Sequence, residues 1–375
     1  MISNTGLGNP IDFKAFMKIW LKVICVALLA YVAVSTFWYP LIPAGLQVNI
    51  NKINPGENQF TLTGYNTHFV SEKENLQVFV AIDSTARYCG SILNVIDNNH
   101  VLVSVNLPDT LSSANIAFVA NDNTDGYIIV EQPIKSEGFV LIPGYKEKSC
   151  KISVIQTDHK GFGYPYQPII METIRNLMWH VPMWFTMFVL MTISFIQSIK
   201  SLNSGGRADD NLDKFLDQKK LLISDTKAAM SASTGLVFCL LGLITGSVWA
   251  RFAWGAWWTN DPQLNGAMVV FIVYVAYFIL RNSTPDLEKR ARLSSIFNIF
   301  AFVLMVVLLM VMPRFTEGLH PGKSGNPAFS QYDLDSSLRV VFYPAVLGFI
   351  LLGYWLYRIN LSIRNIEISN DENEY

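Results

Sequence analysis

Six stretches of the chain stay apolar for about the length of a membrane crossing. They are Ile19–Tyr39, Met178–Ile199, Ala232–Ala250, Gly266–Leu280, Ile296–Met312 and Val340–Tyr357. A bilayer core takes roughly 20 apolar residues in helical form, so the pattern predicts six spanning helices, the fourth short enough to draw residues from Pro262 onward. Gly242 and Gly246 in the third stretch suit close helix packing. The first stretch follows Lys14 and Lys18 and contains Lys22. It is long for a signal-peptide core, and Trp38, Tyr39 and Pro40 follow it in place of a small-residue cleavage site, so it reads as a retained anchor.

Between the first and second stretches the period changes to that of strands. Asn58–Thr63, Leu76–Ile82, Val101–Leu107, Ile116–Ala120, Tyr127–Gln132 and Lys151–Gln156 are rich in Val, Ile, Phe and Tyr, several alternating with polar residues. Asp125-Gly126 and Pro143-Gly144 are turn signals. A small β-barrel or β-sandwich fits equally well. The predicted fold class is therefore mainly α: a polytopic six-transmembrane-helix bundle with an extracytoplasmic all-β domain inserted between helices 1 and 2.

Composition agrees with a membrane protein. The chain of 375 residues is 51% hydrophobic and 15% charged, against about 25% charged in ordinary soluble chains. Its net charge of -1 gives a nucleic-acid partner no electrostatic support, and no Gly-rich phosphate loop of the Walker type is present. Charge also sets orientation. Lys14 and Lys18, then Lys200, Arg207, Lys214, Lys219 and Lys220, then Arg281, Lys289, Arg290 and Arg292, then Arg358 and Arg364 flank alternate span ends. By the positive-inside rule these flanks and both termini are cytoplasmic, and the acidic tail is a solvated end. The outer side then carries the segment from Leu41 to about Leu177, the loop Arg251–Asn265 and the loop Pro313–Leu338.

Cys89 and Cys150 fall in the β insert, where an oxidising compartment would allow a bridge; two unpaired buried thiols are the alternative. Cys25 and Cys239 fall within spans and read as small core hydrophobes. No Cys-x-x-Cys occurs. His68, His100 and His159 belong to the insert, His180 opens the second span, and His320 lies in the last outer loop. Between the latter two in sequence lies Trp254-Gly255-Ala256-Trp257-Trp258-Thr259-Asn260-Asp261-Pro262-Gln263-Leu264. Taken singly these residues have ordinary readings: tryptophans form interfacial belts, a histidine at a helix end is usually solvated, and Asp261 before Pro262 suits a helix N-cap. Taken together they offer what heme needs, namely a flat aromatic surface for the macrocycle and neutral imidazoles for iron. Arg251, Arg314 and Lys323 are outer cations that could meet its propionates.

These residues resemble a known family. Trp254–Leu264 resembles the tryptophan-rich signature, roughly Trp-Gly-x-Trp-Trp-x-Trp-Asp-x-Arg-Leu, of the WWD-domain heme-handling membrane proteins of cytochrome c maturation. Trp254, Gly255, Trp257, Trp258, Asp261 and Leu264 match it, while Asn260 replaces a Trp and Gln263 an Arg. Met178-Trp179-His180-Val181-Pro182 and Leu319-His320 are similar to the two outer histidine segments of the cytochrome c maturation protein C family (CcmC, heme exporter protein C). The resemblance covers Trp20–Phe37 weakly and Glu172–Arg364 well, and leaves out the β insert. Larger synthase members carry further histidines inside spans; their lack here favours the heme-delivery members.

The resemblance implies that His180 and His320 are axial ligands to the iron of transiently bound heme b, and that Trp254, Trp257, Trp258 and Asp261 line a heme platform. It implies a bacterial inner-membrane protein that delivers heme, and performs no classical catalysis, to a membrane-anchored periplasmic heme chaperone, alongside ABC-transporter subunits. The expected parts are 1–43 (cytoplasmic N-terminus and first helix), 44–165 (periplasmic β insert), 166–360 (heme-handling five-helix domain) and 361–375 (acidic tail). The competing expectation is a membrane-anchored periplasmic β module with a binding, structural or signalling role.

Overall fold

The computed structural model describes residues 13–42, 45–82, 87–114, 116–130, 134–142, 145, 163–165, 171–204, 211–320, 334 and 336–373. The chain divides into two compact units, residues 38–174 and the remainder.

The helical unit holds α1 (Phe13–Trp38), α2 (Leu177–Asn203), α3 (Asn211–Ala253), α4 (Pro262–Asn282), α5 (Leu287–Val306), α6 (Met312–Phe315) and α7 (Ser336–Asn373), with a π-helical turn, Val307–Val311, joining α5 to α6. Among the described residues six helical segments are long and apolar enough to cross a membrane. Their outward faces expose large apolar side chains such as Ile24, Ile196, Ile244, Ile272 and Phe300. So much exposed apolar surface fits a lipid-facing bundle, since water would favour burying it. The fourth span does start at Pro262. The third is far longer than its apolar core suggests, because α3 begins at Asn211, twenty-one residues before Ala232, on a stretch too charged to read as a span.

Small and hydroxylated residues let these helices approach. A Cβ on Gly235 would sit 3.0 Å from the Met191 methyl, and one on Gly348 3.2 Å from Leu28 and Leu29. Lipid tails do little to drive apolar helices together, so close packing and hydrogen bonds do that work. Ser231 Oγ donates to the Leu190 carbonyl at 2.7 Å and Ser194 Oγ to that of Ala228 at 2.8 Å. Asn298 on α5 donates to Ser194 and Ser198 on α2 at 2.7 and 2.8 Å. Near the ends of α2 and α3 that face away from His180, Arg281 forms two 2.6 Å bonds to the buried Asp225 carboxylate, a paired arrangement that spares both charges solitary burial.

The β unit is built on an eight-stranded sheet. Its strands are β1 (Gly45–Val48), β2 (Gly56–Gly64), β3 (Gln77–Ala81), β4 (Arg87–Cys89), β5 (Ser91–Val95), β6 (His100–Leu107), β7 (Ala117–Asp122) and β8 (Gly126–Val130). Their spatial order is β4-β3-β7-β8-β1-β2-β6-β5. The two outermost strands, β4 and β5, are thus consecutive in the chain and separated by Gly90 alone. At Gly90 the backbone lies between β3 and β6: its N–H donates to the Val78 carbonyl at 2.8 Å, and a Cβ there would stand 2.6 Å from Val103 and 3.5 Å from the Ser104 carbonyl. One continuous stretch, 87–95, therefore pairs with β3 by its first half and with β6 by its second, and the sheet curls into a barrel. This resolves the choice between barrel and sandwich. Alternate residues of β2 and β6 fill the interior, among them Phe60, Leu62, Val101, Val103 and Val105, all at 1% exposure or less, and Phe60 meets Phe118 of β7 edge-on at 4.6 Å.

The strands foreseen within 58–132 appear within a few residues of their expected limits, and Gly126 takes the positive φ of 73° that its turn requires. The strand expected at Lys151–Gln156, the Pro143-Gly144 turn, His159 and Cys150 lie outside the described residues. Cys89 is disulfide-bonded, and Cys25 and Cys239 are buried free thiols.

The β7–β8 turn holds an unusual carboxylate. Asp122 is buried; its Oδ1 accepts from the backbone N–H groups of Thr124 and Asp125 at 3.0 and 2.6 Å, while Oδ2 has no partner among the described residues. Burial pushes this carboxyl up to about 6, helped by the neighbouring charges of Asp125 and Glu72 and opposed by the two N–H groups. The folded state thus binds this proton more tightly than the unfolded chain does. The group's contribution to stability improves as pH falls through about 6 toward the unfolded value near 4, and opposes folding at pH 7.5. Asp122→Asn keeps the Oδ1 acceptor and removes the charge. It should stabilise the hairpin at pH 7.5 by on the order of 2 kcal/mol and have little effect at pH 4, read as amide hydrogen exchange of β7 and β8 in the whole protein. Equal protection in both proteins at pH 7.5 would contradict the account.

Candidate functional site

The helix topology gathers the predicted residues at one end of the helical unit. His180 lies in the first turn of α2, and the antiparallel α3 brings Thr245 and Gly246 beside it. The Trp-rich segment links α3 to α4, and His320 follows α6. Because α3 extends to Ala253 and α4 starts at Pro262, the connection is shorter than the expected Arg251–Asn265.

His180 is fixed by α3. Its Nδ1 lies 3.0 Å from Thr245 Oγ1. The threonine hydroxyl hydrogen is directed to its own helix, at 2.8 Å from the Leu241 carbonyl and 3.2 Å from that of Gly242. Oγ1 therefore accepts from the imidazole, which puts the ring proton on Nδ1 and leaves Nε2 with its lone pair. Gly246 makes room for the ring: a Cβ there would stand 2.7 Å from His180 Cε1. Asn176 Nδ2 donates to the Thr245 carbonyl at 2.9 Å and Arg175 to that of Thr36 at 2.6 Å, so the start of α2 is tied to α3 and to the end of α1.

Asp261 organises the other half. It is 2% exposed and N-caps α4, its Oδ1 accepting from Gln263 and Leu264 N–H at 3.0 and 3.1 Å. Pro262 stands at the first helical position, where its missing N–H costs nothing. The same carboxylate reaches across to the last loop: Oδ1 accepts from His320 Nδ1 at 2.7 Å and Oδ2 from the Leu319 N–H at 2.6 Å. Gly318 permits the approach, since a Cβ there would come 2.7 Å from Oδ2. Burial would raise the Asp261 carboxyl, but the bonds from His320, Leu319 and Leu264 and the attraction of His320 outweigh it and hold the group well below the usual carboxylate range. An ionised carboxylate only accepts, so His320 too carries its proton on Nδ1 and leaves Nε2 free. The hydrogen bonds found for the two rings among the described residues run from Nδ1 to Thr245 and Asp261, and the Gly242 carbonyl stands beside the His180 ring as a second neutral acceptor. The two imidazoles are close enough to feel each other's charge.

The tryptophans play unequal parts. Trp254 packs edge-on against His320, ring centres 5.0 Å apart at 71°, and so buttresses the imidazole. Trp257 and Trp258 are 59% and 38% exposed and present open ring surface. Gly255 turns the chain between Trp254 and Trp257 at a φ of +80°, a region that favours glycine. Arg251 donates to the Gly255 carbonyl at 2.6 Å and so shapes this turn. Lys323 lies outside the described residues.

Three residues that pattern reading did not single out for this site belong to it: Thr245, Gly246 and Asn265. Asn265 Oδ1 accepts from Trp258 Nε1 at 3.1 Å and its amide donates to Asn260 Oδ1 at 2.8 Å. Asn260, which departs from the tryptophan-rich pattern, thus helps to hold Trp258. A threonine in an apolar helix carries no sequence signal for such a role; only its distance of 65 residues closed by helix packing reveals it. His68 and His100 are engaged elsewhere, with Asp125 at 2.8 Å and Asp97 at 2.9 Å. Among the described residues no group of three or more His, Cys, Asp or Glu is arranged for a metal ion. Two imidazoles suit an iron whose four in-plane positions a macrocycle already fills.

Comparison with known proteins shows what this part of the chain is similar to. Residues 165–320, which include His180, the Trp-rich segment and His320, match the family model described as Cytochrome C assembly protein. Heme exporter protein C of Paracoccus denitrificans is 28% identical over 130 residues, 35% of this chain and 54% of that protein. Heme exporter protein C of Escherichia coli is 26% identical over 134 residues, 36% of this chain and 53% of that protein. Cytochrome c biogenesis protein CcsA of Prochlorococcus marinus is 34% identical over 96 residues, 26% and 30% of the two chains. The chain spans about half the length, or less, of the curated relatives it matches. The matched segment is CcmC-like, in an integral membrane protein.

Gly246→Ala tests the packing that sets His180. The added methyl should push the ring from Thr245, and overpacking of this kind costs about 1–3 kcal/mol. A lowered melting temperature of the detergent-solubilised protein is expected. An unchanged melting curve would mean that α2 and α3 part easily at this point.

Proposed function

We propose that the chain binds heme where His180 and His320 converge and passes it on during cytochrome c assembly. The observation that carries the reading is the pair of imidazoles at one end of the bundle, each held through Nδ1. His180 and His320 are the iron ligands, Trp257 and Trp258 the surface for the macrocycle, and Trp254 and Asp261 the supports of His320. Heme, as heme b, is cargo. Histidine ligation suits it, being reversible, and the iron supplies the affinity for both rings.

The rest of the reading follows the resemblance to heme exporter protein C. The protein resides in a bacterial inner membrane with both termini cytoplasmic. The cations Lys200, Lys219, Lys220, Arg281, Lys289 and Arg292 flank the span ends away from His180, and the positive-inside rule puts those ends in the cytoplasm. The heme site then faces the periplasm, as do residues 44–165. The recipient is a membrane-anchored periplasmic heme chaperone, and ABC-transporter subunits accompany the protein in the lipid bilayer. The disulfide at Cys89 agrees with an oxidising compartment for the β unit.

Protein purified in detergent from heme-replete cells should show the absorption spectrum of iron held by two imidazoles, in oxidised and reduced states. The double variant His180→Ala, His320→Ala should lose it and most of the bound heme. Heme content unchanged in the double variant would remove the basis of the reading.

A further inference from the structure

The two imidazoles are held in the same tautomer by unlike partners, and this inference rests on the heme-binding reading above. His320 donates, at 2.7 Å, to a carboxylate that is 2% exposed and takes three further N–H donors, from Gln263, Leu264 and Leu319. His180 donates to a hydroxyl oxygen 3.0 Å away. A charge-assisted bond is shorter and roughly twice as strong as a neutral one. A carboxylate on the far nitrogen also pushes electron density into the ring and raises its basicity toward a metal, which a neutral hydroxyl does weakly.

We propose that Asp261 and Thr245 are positioning residues that make the two ligands unequal: His320 is the retaining ligand and His180 the one that yields first when heme leaves.

Three further observations support this division. Asp261 is locked in place by four hydrogen bonds, two from the α4 N-terminus and two from Leu319 and His320, so its charge cannot swing away from the ring. Trp254 closes against one side of His320. By contrast, the Thr245 oxygen that receives the His180 proton already donates its hydrogen within α3, so no charge stands behind that ring. During transfer the His180–iron bond breaks, both electrons of that bond staying on Nε2, and the position it vacates is taken by a lone pair from the recipient. Iron keeps its oxidation state through this exchange, and no proton moves, because Nδ1 of His180 remains bonded to Thr245.

The test uses the full-length protein in detergent with bound heme. Asp261→Asn keeps an acceptor at Oδ1 and an N-cap for α4 while removing the charge and the Leu319 bond at Oδ2; Thr245→Val removes the hydroxyl acceptor of His180 and leaves the neutral Gly242 carbonyl beside the ring. The readouts are the absorption spectrum, the heme reduction potential and the rate of heme loss to an excess of a heme-binding apoprotein. Asp261→Asn should keep the two-imidazole spectrum, move the potential upward and release heme several-fold faster. Thr245→Val should move the potential less. Of the single ligand variants supplied with imidazole, His180→Ala should retain several-fold more heme than His320→Ala. Equal retention by these two, or an unmoved potential in Asp261→Asn with its two-imidazole spectrum intact, overturns the inference and leaves the functional reading standing. A wild-type protein without the two-imidazole spectrum overturns the reading, and the inference with it.

Discussion

At the convergent end of the helical unit, a single buried carboxylate serves two segments 59 residues apart. Through Oδ1, Asp261 satisfies the first N–H groups of α4, which a helix start must otherwise leave to water, and it also receives His320 on Oδ1 and Leu319 on Oδ2. The helix start and the histidine loop therefore cannot move independently. The bonds also explain why the carboxylate tolerates burial, since each donor replaces part of the hydration it gave up. Gly318 and Pro262 are the local concessions that make it possible, one by lacking a Cβ and the other by lacking an N–H.

The helices beneath this end are held by a different economy of forces. Their contacts are short-range: glycines against methyl and aromatic groups, and serines bonded to carbonyls of neighbouring helices. The α2–α3 pair carries His180 on one helix and its acceptor on the other, so the orientation of the imidazole depends on the register of that pair. Polar stitching by Ser194, Ser198, Ser231 and Asn298 fixes the register deeper in the bundle. A rigid frame is what a ligand set needs when its own side chains are the parts that must let go.

Much of this was legible in the residues alone. Twenty-residue apolar runs fix helix number because the backbone has few other ways to cross a bilayer, and Val101–Leu107 or Leu76–Ile82 announce themselves by their period. His180, the Trp-rich segment and His320 stood out because their residue types are rare together. What stayed hidden was set by tertiary packing. The extension of α3 back to Asn211 runs through Lys219, Lys220 and Asp225, which mask it in any hydropathy profile. The division of labour among Trp254, Trp257 and Trp258 depends on which ring meets His320, and neither Thr245 nor Asn265 differs in sequence from any other polar residue in a span.

The barrel of the β unit carries one further implication. Closed by the stretch that changes partners at Gly90, it leaves few unpaired backbone groups along its rim strands. A visiting polypeptide would find little main chain to zip onto, so recognition by strand addition is disfavoured. Recognition at the barrel wall then falls to side chains and connecting loops, which can diversify without opening an edge of the eight-stranded sheet.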